Sequence, residues 1–513
     1  MCGILLHYTK HQNLCDELLE FEEGFQGLKS GCSSLSQTFN AIVPYVAARG
    51  PNFSSLRVSK EHCISWFSSV LSLREPFIRQ SVEVGDRYIL QFNGELYNEE
   101  IVNNDTSFVA SLLEKGKTSI VEVVASLEGE FAYTIYDMRE CKLYFGRDDI
   151  GKRSLSYRLN QISGEIYVAS VTGKQEGFTD CLAGVVYIYD LKEKSLDERM
   201  LPILNREVSC EIVENEDEFR RTTHALYEQL TSAVAKRIES IHPIHLENSP
   251  IGVLFSGGLD CSVLAAMICR QLANQLFKRT VELLNVSFEN HRTGLLPQDT
   301  PDRKLAIKSA NALKRLYPHV DIKLVEIDVP YETYSEYRPK IIDLMYPKNT
   351  EMDLSISIAF HFASKGSGYI DCGNGKRSKY QRQGIVLFSG LGADELYGGY
   401  YKFARKSIEE LVEELTKQIN NIYNRNLNRD DKVIAANGVE VRYPFLDRHV
   451  IEFSMKKIPI NWKINKLILR KLALEKLDLI SVSEEPKRAI QFGSKSAKMT
   501  KDGNRHGTDV LKQ

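Results

Sequence analysis

Ile251-Gly252-Val253-Leu254-Phe255-Ser256-Gly257-Gly258-Leu259-Asp260-Cys261-Ser262 is the stretch that decides the fold. Residues 251–255 form a short apolar strand, Ser256-Gly257-Gly258 breaks it, and residues 263–276 carry a helical pattern. Glycines at such a turn let backbone amides close around phosphate oxygens without interference from a Cβ. The helix that follows turns its partial positive end toward the same place. Ser256 and Ser262 add hydroxyl donors, and Asp260 adds a hard oxygen ligand suited to a divalent metal. No Gly-Lys-Ser/Thr follows, so this is not a Walker A loop. Taken alone, the stretch also fits an ordinary strand–turn–helix junction.

The surrounding residues repeat the pattern. Residues 217–240 read as a long amphipathic helix, with Phe219, Leu226, Leu230, Val234 and Ile238 on one face. Strands at 283–288, 322–327 and 385–388 alternate with a helix at 303–317. This alternation specifies a doubly wound parallel sheet, with nucleotide sites at the carboxyl ends of its strands. Residues 365–384, rich in Gly, Lys, Arg and Ser, read as a mobile surface insertion. The polar tail after Gly493 reads as frayed. Residues 408–422 read as a helix with one apolar face, expected to pack within the second domain, with a partner-binding helix as the alternative.

Upstream of about residue 205 the pattern differs. Residues 87–92, 131–137, 142–146, 165–170 and 185–190 are β-rich, and only 108–113 and 120–126 look helical. Packed, largely antiparallel sheets follow from this. The expected division is therefore residues 1–205 and 206–513.

The whole chain has 513 residues, 43% of them hydrophobic, which exceeds what one compact core organises. A formal net charge of -2 provides no general field for nucleic acid or an anionic membrane. Ten cysteines without a C-x-x-C pair fit reduced thiols rather than a zinc site or a disulfide scaffold. No apolar run reaches signal-peptide or membrane-spanning length, so the expected location is cytoplasmic.

A second loop, Ser389-Gly390-Leu391-Gly392-Ala393-Asp394-Glu395, follows the strand at 385–388. It has the same logic of strand end, glycines and carboxylates. Asp260 and Asp394 can share Mg²⁺ on a pyrophosphate. With this loop, Gly392 to Tyr400 and Gly438-Val-Glu-Val-Arg-Tyr-Pro-Phe-Leu-Asp447, the chain resembles the synthetase domain of glutamine-dependent asparagine synthetases. Within that family it is most like the asparagine synthetase domain-containing subgroup. The resemblance implies an ATP pyrophosphatase domain that adenylates a carboxylate and lets ammonia displace AMP. It assigns Leu254, Val286, Ser389 and Gly390 to adenosine and ribose contacts, and Lys487 to the catalytic lysine. By local sequence alone, Lys487 reads equally as a surface residue after Pro486.

The first half carries its own motif series. Cys2 acquires a free α-amine only if Met1 is removed. That amine titrates near neutrality and can take the thiol proton. The Asn93 amide and the Gly94 N–H can stabilise an oxyanion, although Asn-Gly is also a hairpin turn signal. Met-Cys-Gly-Ile, Arg49-Gly50-Pro51, Asn93-Gly94-Glu95, Gly129-Glu130-Phe131-Ala132 and Arg147-Asp148 with Gly151 resemble class II glutamine amidotransferases. The resemblance implies an αββα N-terminal-nucleophile sandwich, with Asn93, Glu95 and Asp105 binding glutamine.

Three positions depart from the family. Val70 stands where the family's arginine grips the glutamine α-carboxylate, and Arg74 can replace it only along a rerouted chain. Asn52 stands where an aspartate is usual. Leu391 stands where the family has an acidic residue tied to ammonia addition, and leucine transfers no proton. The expected function is an ATP- and glutamine-dependent amidotransferase with aspartate as default acceptor. The alternative is a nucleotide-binding or regulatory protein on the same scaffold. The oligomeric state stays open, a homodimer included.

Overall fold

A computed structural model of the chain describes residues 2–11, 14–22, 24–25, 27, 35–116, 118–202, 206–242, 245, 249–273, 279–373, 375–399, 406–486, 488–499 and 507–511. The chain divides into two compact units. The first comprises Met1–Ile203, Ile342–Lys348 and Tyr423–Val439, and the second the remainder.

In the first unit two antiparallel sheets face each other. One has the order β11-β9-β10-β1-β4-β3-β2, from β1 (Cys2–Tyr8), β2 (Glu17–Phe21), β3 (Phe53–Ser59), β4 (Ile64–Val70), β9 (Ser156–Asn160), β10 (Glu165–Ala169) and β11 (Thr179–Asp180). The other has the order β13-β12-β8-β7-β6-β5, from β5 (Val82–Val84), β6 (Tyr88–Leu96), β7 (Gly129–Asp137), β8 (Lys142–Arg147), β12 (Val185–Asp190) and β13 (Ser195–Met200). Ile4, Leu6, Trp66, Tyr136, Phe145 and Val168 lie in the core that both sheets share. Helix α1 (Gln37–Ala47) covers the first sheet, where the Ser69 hydroxyl donates to Val46 O at 2.6 Å. Helices α2 (Asp105–Lys115) and α3 (Ile120–Ala125) cover the second through Val109, Leu113, Val123 and Val124. The layers therefore run helix, sheet, sheet, helix, as the amidotransferase resemblance implies.

One expectation is corrected here. Asn93-Gly94 makes no hairpin turn, because β6 runs through it to Leu96, pairing Asn93 with Ala132 and Gly94 with Phe131. The turn propensity loses to the ladder and to packing. A Cβ on Gly94 would lie 2.3 Å from Glu130 O, so the glycine serves close strand approach.

The second unit holds a sheet of order β18-β17-β16-β15-β14-β19-β20. Its strands are β14 (Ile251–Leu254), β15 (Thr280–Phe288), β16 (Asp321–Val329), β17 (Ser367–Asp371), β18 (Arg377–Gln381), β19 (Val386–Phe388) and β20 (Glu440–Arg442). Strands β16, β15, β14, β19 and β20 are parallel. Growth of the sheet reverses between β14 and β19, which creates a topological switch point. Helix α4 (Glu216–Glu239), α5 (Leu259–Ala273) and α6 (Pro301–Leu316) bury apolar faces in this unit.

Two further expectations change. Within residues 365–384, β17 and β18 form a paired antiparallel hairpin that joins the sheet edge beside β16, instead of an unstructured insertion. The Tyr380 hydroxyl anchors it by donating to Glu282 at 2.6 Å. Beyond Gly493 the described residues are tied down as well. Ser494 O accepts from Phe288 N at 3.0 Å, and Asp509 O from Glu351 N at 2.9 Å. Periodicity missed both because the residues are polar and are held by hydrogen bonds instead of an apolar face. Among the described residues no helix is long and apolar enough to cross a membrane.

Candidate functional site

The first unit gathers its polar residues around the start of β1. Cys2 is buried, and its backbone N–H donates to Asn93 Oδ1 at 2.9 Å. Asn93 is fully buried, and its Nδ2 has no protein partner among the described residues. An amide fixed through its oxygen, with its donor end unspent, is the arrangement an oxyanion site requires. Gly94 adds a backbone N–H from the next residue of β6.

Three contacts around Cys2 were not foreseen. Gln80 Nε2 lies 3.8 Å from the Cys2 thiol sulfur, and the Gln80 amide is itself fixed by Phe92 O and Phe92 N at 2.7 and 2.8 Å. Arg49 Nε donates to Cys2 O at 3.2 Å. Val70 pairs in register with Cys2 and packs with it and Phe53. At the position that the resemblance gives to an arginine, Cys2 thus meets an apolar neighbour. Asn52 accepts from Ser72 N at 2.9 Å, so it braces the loop beyond β4.

Arg74 lies on that loop. Its Nε donates to Glu95 Oε1 at 2.6 Å, one Nη to Leu96 O at 2.6 Å and the other to Asn103 O at 3.4 Å. Asp105 opens α2 and is buried. Asn104 caps that helix by accepting from Thr106 N at 2.8 Å. Glu95 and Asp105 are therefore connected through Arg74 and the 103–104 backbone.

Behind this site lies a buried charge cluster completed by helix Asn428–Ala435. Asp431 Oδ2 accepts from Arg49 Nη2 at 2.8 Å, Ser154 N at 3.0 Å and Ser154 Oγ at 2.7 Å. Arg153 lies 3.7 Å from Asp431 Oδ1 and 3.2 Å from Glu130. Arg147 donates to Asn428. Burial opposes ionisation of Asp431, but Arg49, Arg153 and Ser154 outweigh it and hold the carboxyl below its ordinary pKa. No sequence periodicity marks residues 423–439 as part of this unit.

In the second unit the loops after β14 and β19 meet at the switch point. A Cβ on Gly390 would lie 3.0 Å from the Cβ of Asp260. Gly257 has φ +82°, and a Cβ there would meet Ala306 N at 2.5 Å, so the loop lies directly against α6. Gly257 O accepts from Ser262 Oγ at 3.2 Å and Ser309 Oγ at 2.7 Å. Ser256 Oγ lies 3.4 Å from Gly258 N as its acceptor. Ser389 N donates to Arg442 O at 3.0 Å, and Ser389 Oγ accepts from Leu391 N at 3.3 Å. Leu254 ends β14, and Val286 lies near the end of β15 on the same carboxyl edge. Burial raises the Cys261 thiol to about 11, so it is an inert part of this loop.

Lys466 closes the arrangement. Its Nζ lies 2.6 Å from both Asp260 oxygens and 2.7 Å from Asp394 Oδ1. Burial alone would lower its pKa, yet the two carboxylates reverse the sign and raise it. Asn465 and Lys466 both adopt positive φ, 53° and 60°, a costly conformation for non-glycine residues that clusters at functional sites. A Cβ on Gly399 would lie 2.3 Å from Lys466 Cε and 2.0 Å from Asp394 Oδ1, so glycine makes room for the ammonium. No local signal marks Lys466, since a lysine opening an apolar helix is commonplace. Lys487, singled out by resemblance, lies outside the described residues.

Asp260 and Asp394 are hard carboxylate ligands of the kind Mg²⁺ uses, and the Lys466 ammonium stands between them. No cluster of three or more His, Cys, Asp or Glu able to hold a metal occurs among the described residues.

Comparison with known proteins bears on both units. A family model described as asparagine synthase matches residues 225–418 and 404–513, and one described as a glutamine amidotransferase domain matches residues 74–174. An asparagine synthetase domain-containing protein of Saccharomyces cerevisiae is 62% identical, over 100% of this chain and 99% of its own length. Asparagine synthetase domain-containing protein 1 of Gallus gallus is 28% identical, over 89% and 93%. A glutamine-hydrolyzing asparagine synthetase of Cricetulus griseus is 26% identical, over 80% and 72%.

Proposed function

The chain belongs to the asparagine synthase family, and from that premise we propose that it is an ATP- and glutamine-dependent amidotransferase that amidates a carboxylic acid, by default aspartate. The observation that carries this reading is the 2.9 Å approach of Cys2 N to Asn93, in a chain whose other unit holds two touching glycine loops.

Once Met1 is removed, the Cys2 nitrogen is an α-amine. It takes the thiol proton, and the thiolate attacks the glutamine side-chain carbonyl. Asn93 Nδ2 and the Gly94 N–H receive the oxyanion. The C–N bond breaks, ammonia leaves with the proton, and water cleaves the remaining thioester to glutamate. In the ATP unit Leu254, Val286, Ser389 and Gly390 bind the nucleoside, while Ser256, Gly257, Gly258 and Ser262 bind its phosphates. The acceptor carboxylate attacks the α-phosphorus, pyrophosphate leaves, and ammonia then displaces AMP from the acyl adenylate. Asp260 and Asp394 would hold Mg²⁺, which neutralises charge on the departing pyrophosphate. Lys466 supplies a fixed cation between the same loops. Lys487 stays a second candidate for that role.

A second reading, a nucleotide-binding regulator, is favoured by Leu391, because no proton-transfer group stands at that position of the loop.

The test is pyrophosphate and AMP release by full-length protein with processed Cys2. A panel of carboxylic acids is supplied with glutamine and, in parallel, with free ammonia. Release that depends on one acceptor and on either nitrogen source supports the enzyme. ATP binding without pyrophosphate or AMP for every acceptor supports the regulator.

A further inference from the structure

Arg74 and Glu95 form an ion pair beside the start of β1. The side chains are 12% and 2% exposed, so both charges are largely removed from water. Such a pair gains little over an apolar filling of the same space, because desolvation offsets its attraction. Its placement is informative instead. Asn93 and Glu95 are two residues apart on β6, so they project to the same face, about 7 Å apart along the strand. Asn93 is the residue hydrogen bonded to Cys2 N. An amide whose carbonyl lies at Cys2 therefore has its far end near the Arg74–Glu95 pair. In glutamine four C–C bonds separate the reacting carbonyl carbon from the carboxylate carbon, about 5 Å when extended.

The far end of glutamine carries an ammonium and a carboxylate on one carbon. We propose that Arg74 and Glu95 are the receptor for this zwitterion: Glu95 takes the α-ammonium, Arg74 takes the α-carboxylate, and their own pair is exchanged for two pairs with the ligand. In the free site the two side chains neutralise each other, and a ligand with only one of the two charges leaves one of them unmatched. Arg74 suits the exchange because its fork is spread over Glu95, Leu96 O and Asn103 O. Release from Glu95 frees a planar pair of donors for a carboxylate. Val70 fills the position beside Cys2 that the family gives to arginine, and the loop beyond β4 delivers the guanidinium four residues later. Arg74 is thereby a specificity-determining residue for the amide donor, and this rests on the glutaminase reading above.

The test uses full-length protein with processed Cys2, with Arg74→Gln and Arg74→Lys as variants, since Arg74→Ala leaves a larger void. Glutaminase kinetics are measured with L-glutamine and with 4-aminobutanamide, which lacks the carboxylate. Protection of Cys2 from iodoacetamide by L-glutamine is measured alongside. Arg74→Gln should raise KM for L-glutamine by about 10- to 100-fold with kcat changed less than about threefold, and Arg74→Lys should recover part of the loss. Wild type should prefer L-glutamine over 4-aminobutanamide by a similar factor, and Arg74→Gln should erase that preference. An unchanged KM or a preference that survives the substitution overturns the proposal while leaving the glutaminase reading intact. Protection without turnover in wild type, abolished by Arg74→Gln, sinks the glutaminase reading and keeps this receptor. Neither turnover nor protection in wild type overturns both.

Discussion

Asp431 and Arg49, 382 residues apart in sequence, meet through a 2.8 Å hydrogen bond with no solvent exposure on either side chain. Arg49 in turn holds Cys2 O. Removing the carboxylate leaves Arg49 and Arg153 buried without their shared counter-charge. Asp431→Ala should therefore destabilise the first unit by about 3–5 kcal/mol. Asp431→Asn keeps the shape and should cost less, but should slow glutamine hydrolysis by loosening Cys2. Denaturant midpoints and glutaminase rates check both, and a wild-type midpoint for Asp431→Ala would refute the assignment.

Asn93 should act on the transition state and little on glutamine binding. Asn93→Ala is expected to lower kcat for glutamine hydrolysis by about 10²- to 10³-fold with a small change in KM. Pyrophosphate release with free ammonia should stay near wild type. A loss shared equally by both assays would assign Asn93 a structural part only.

Lys466 gives the converse result. Its ammonium separates Asp260 from Asp394, so Lys466→Met should abolish pyrophosphate release with either nitrogen source and spare glutamine hydrolysis. Lys487→Met, assayed beside it, distinguishes the two lysines. The larger loss is expected at Lys466, and a greater loss at Lys487 would return the role to the residue singled out by resemblance.

Lys463 offers a pH test. Its Nζ donates to Leu396 O at 3.3 Å and to Ser454 O, and burial lowers its pKa to about 7 from 10.5. Between those values the unfolded chain binds more protons than the folded one, so stability from this group rises with pH from about 7 to about 10. Below pH 7 the penalty is complete, on the order of 5 kcal/mol. Unfolding midpoints of wild type and Lys463→Met at pH 6.5 and pH 9 should diverge, with wild type gaining relative to the variant at pH 9. Parallel behaviour at the two pH values would rule this out.

The sheet of the second unit was legible because short apolar runs in β14, β15, β16 and β19 alternate with helical segments, and β14 and β19 run into glycine loops. Both loops of the switch point were readable for the same reason. Cys2, Asn93 and Glu95 were legible as a motif series, although the Asn-Gly turn signal pointed away from the strand that carries them. Gln80, Asp431 and Lys466 were not legible. Each works by long-range contact, and nothing in its local sequence separates it from a surface residue. The β17–β18 hairpin was hidden for a related reason, since its strands are polar and only their ladder hydrogen bonds define them.

Residues 423–439 belong to the same compact unit as Cys2, and this orders events during synthesis. A nascent chain that has exposed its first 205 residues carries Cys2 but lacks Asn428, Asp431 and Lys432. The arginines at 49, 147 and 153 then each await one further partner more than two hundred residues downstream. On the proposed function, glutamine hydrolysis would begin only after the strands that carry both glycine loops have been made. A truncated product would then be unable to release ammonia with no ATP site to use it.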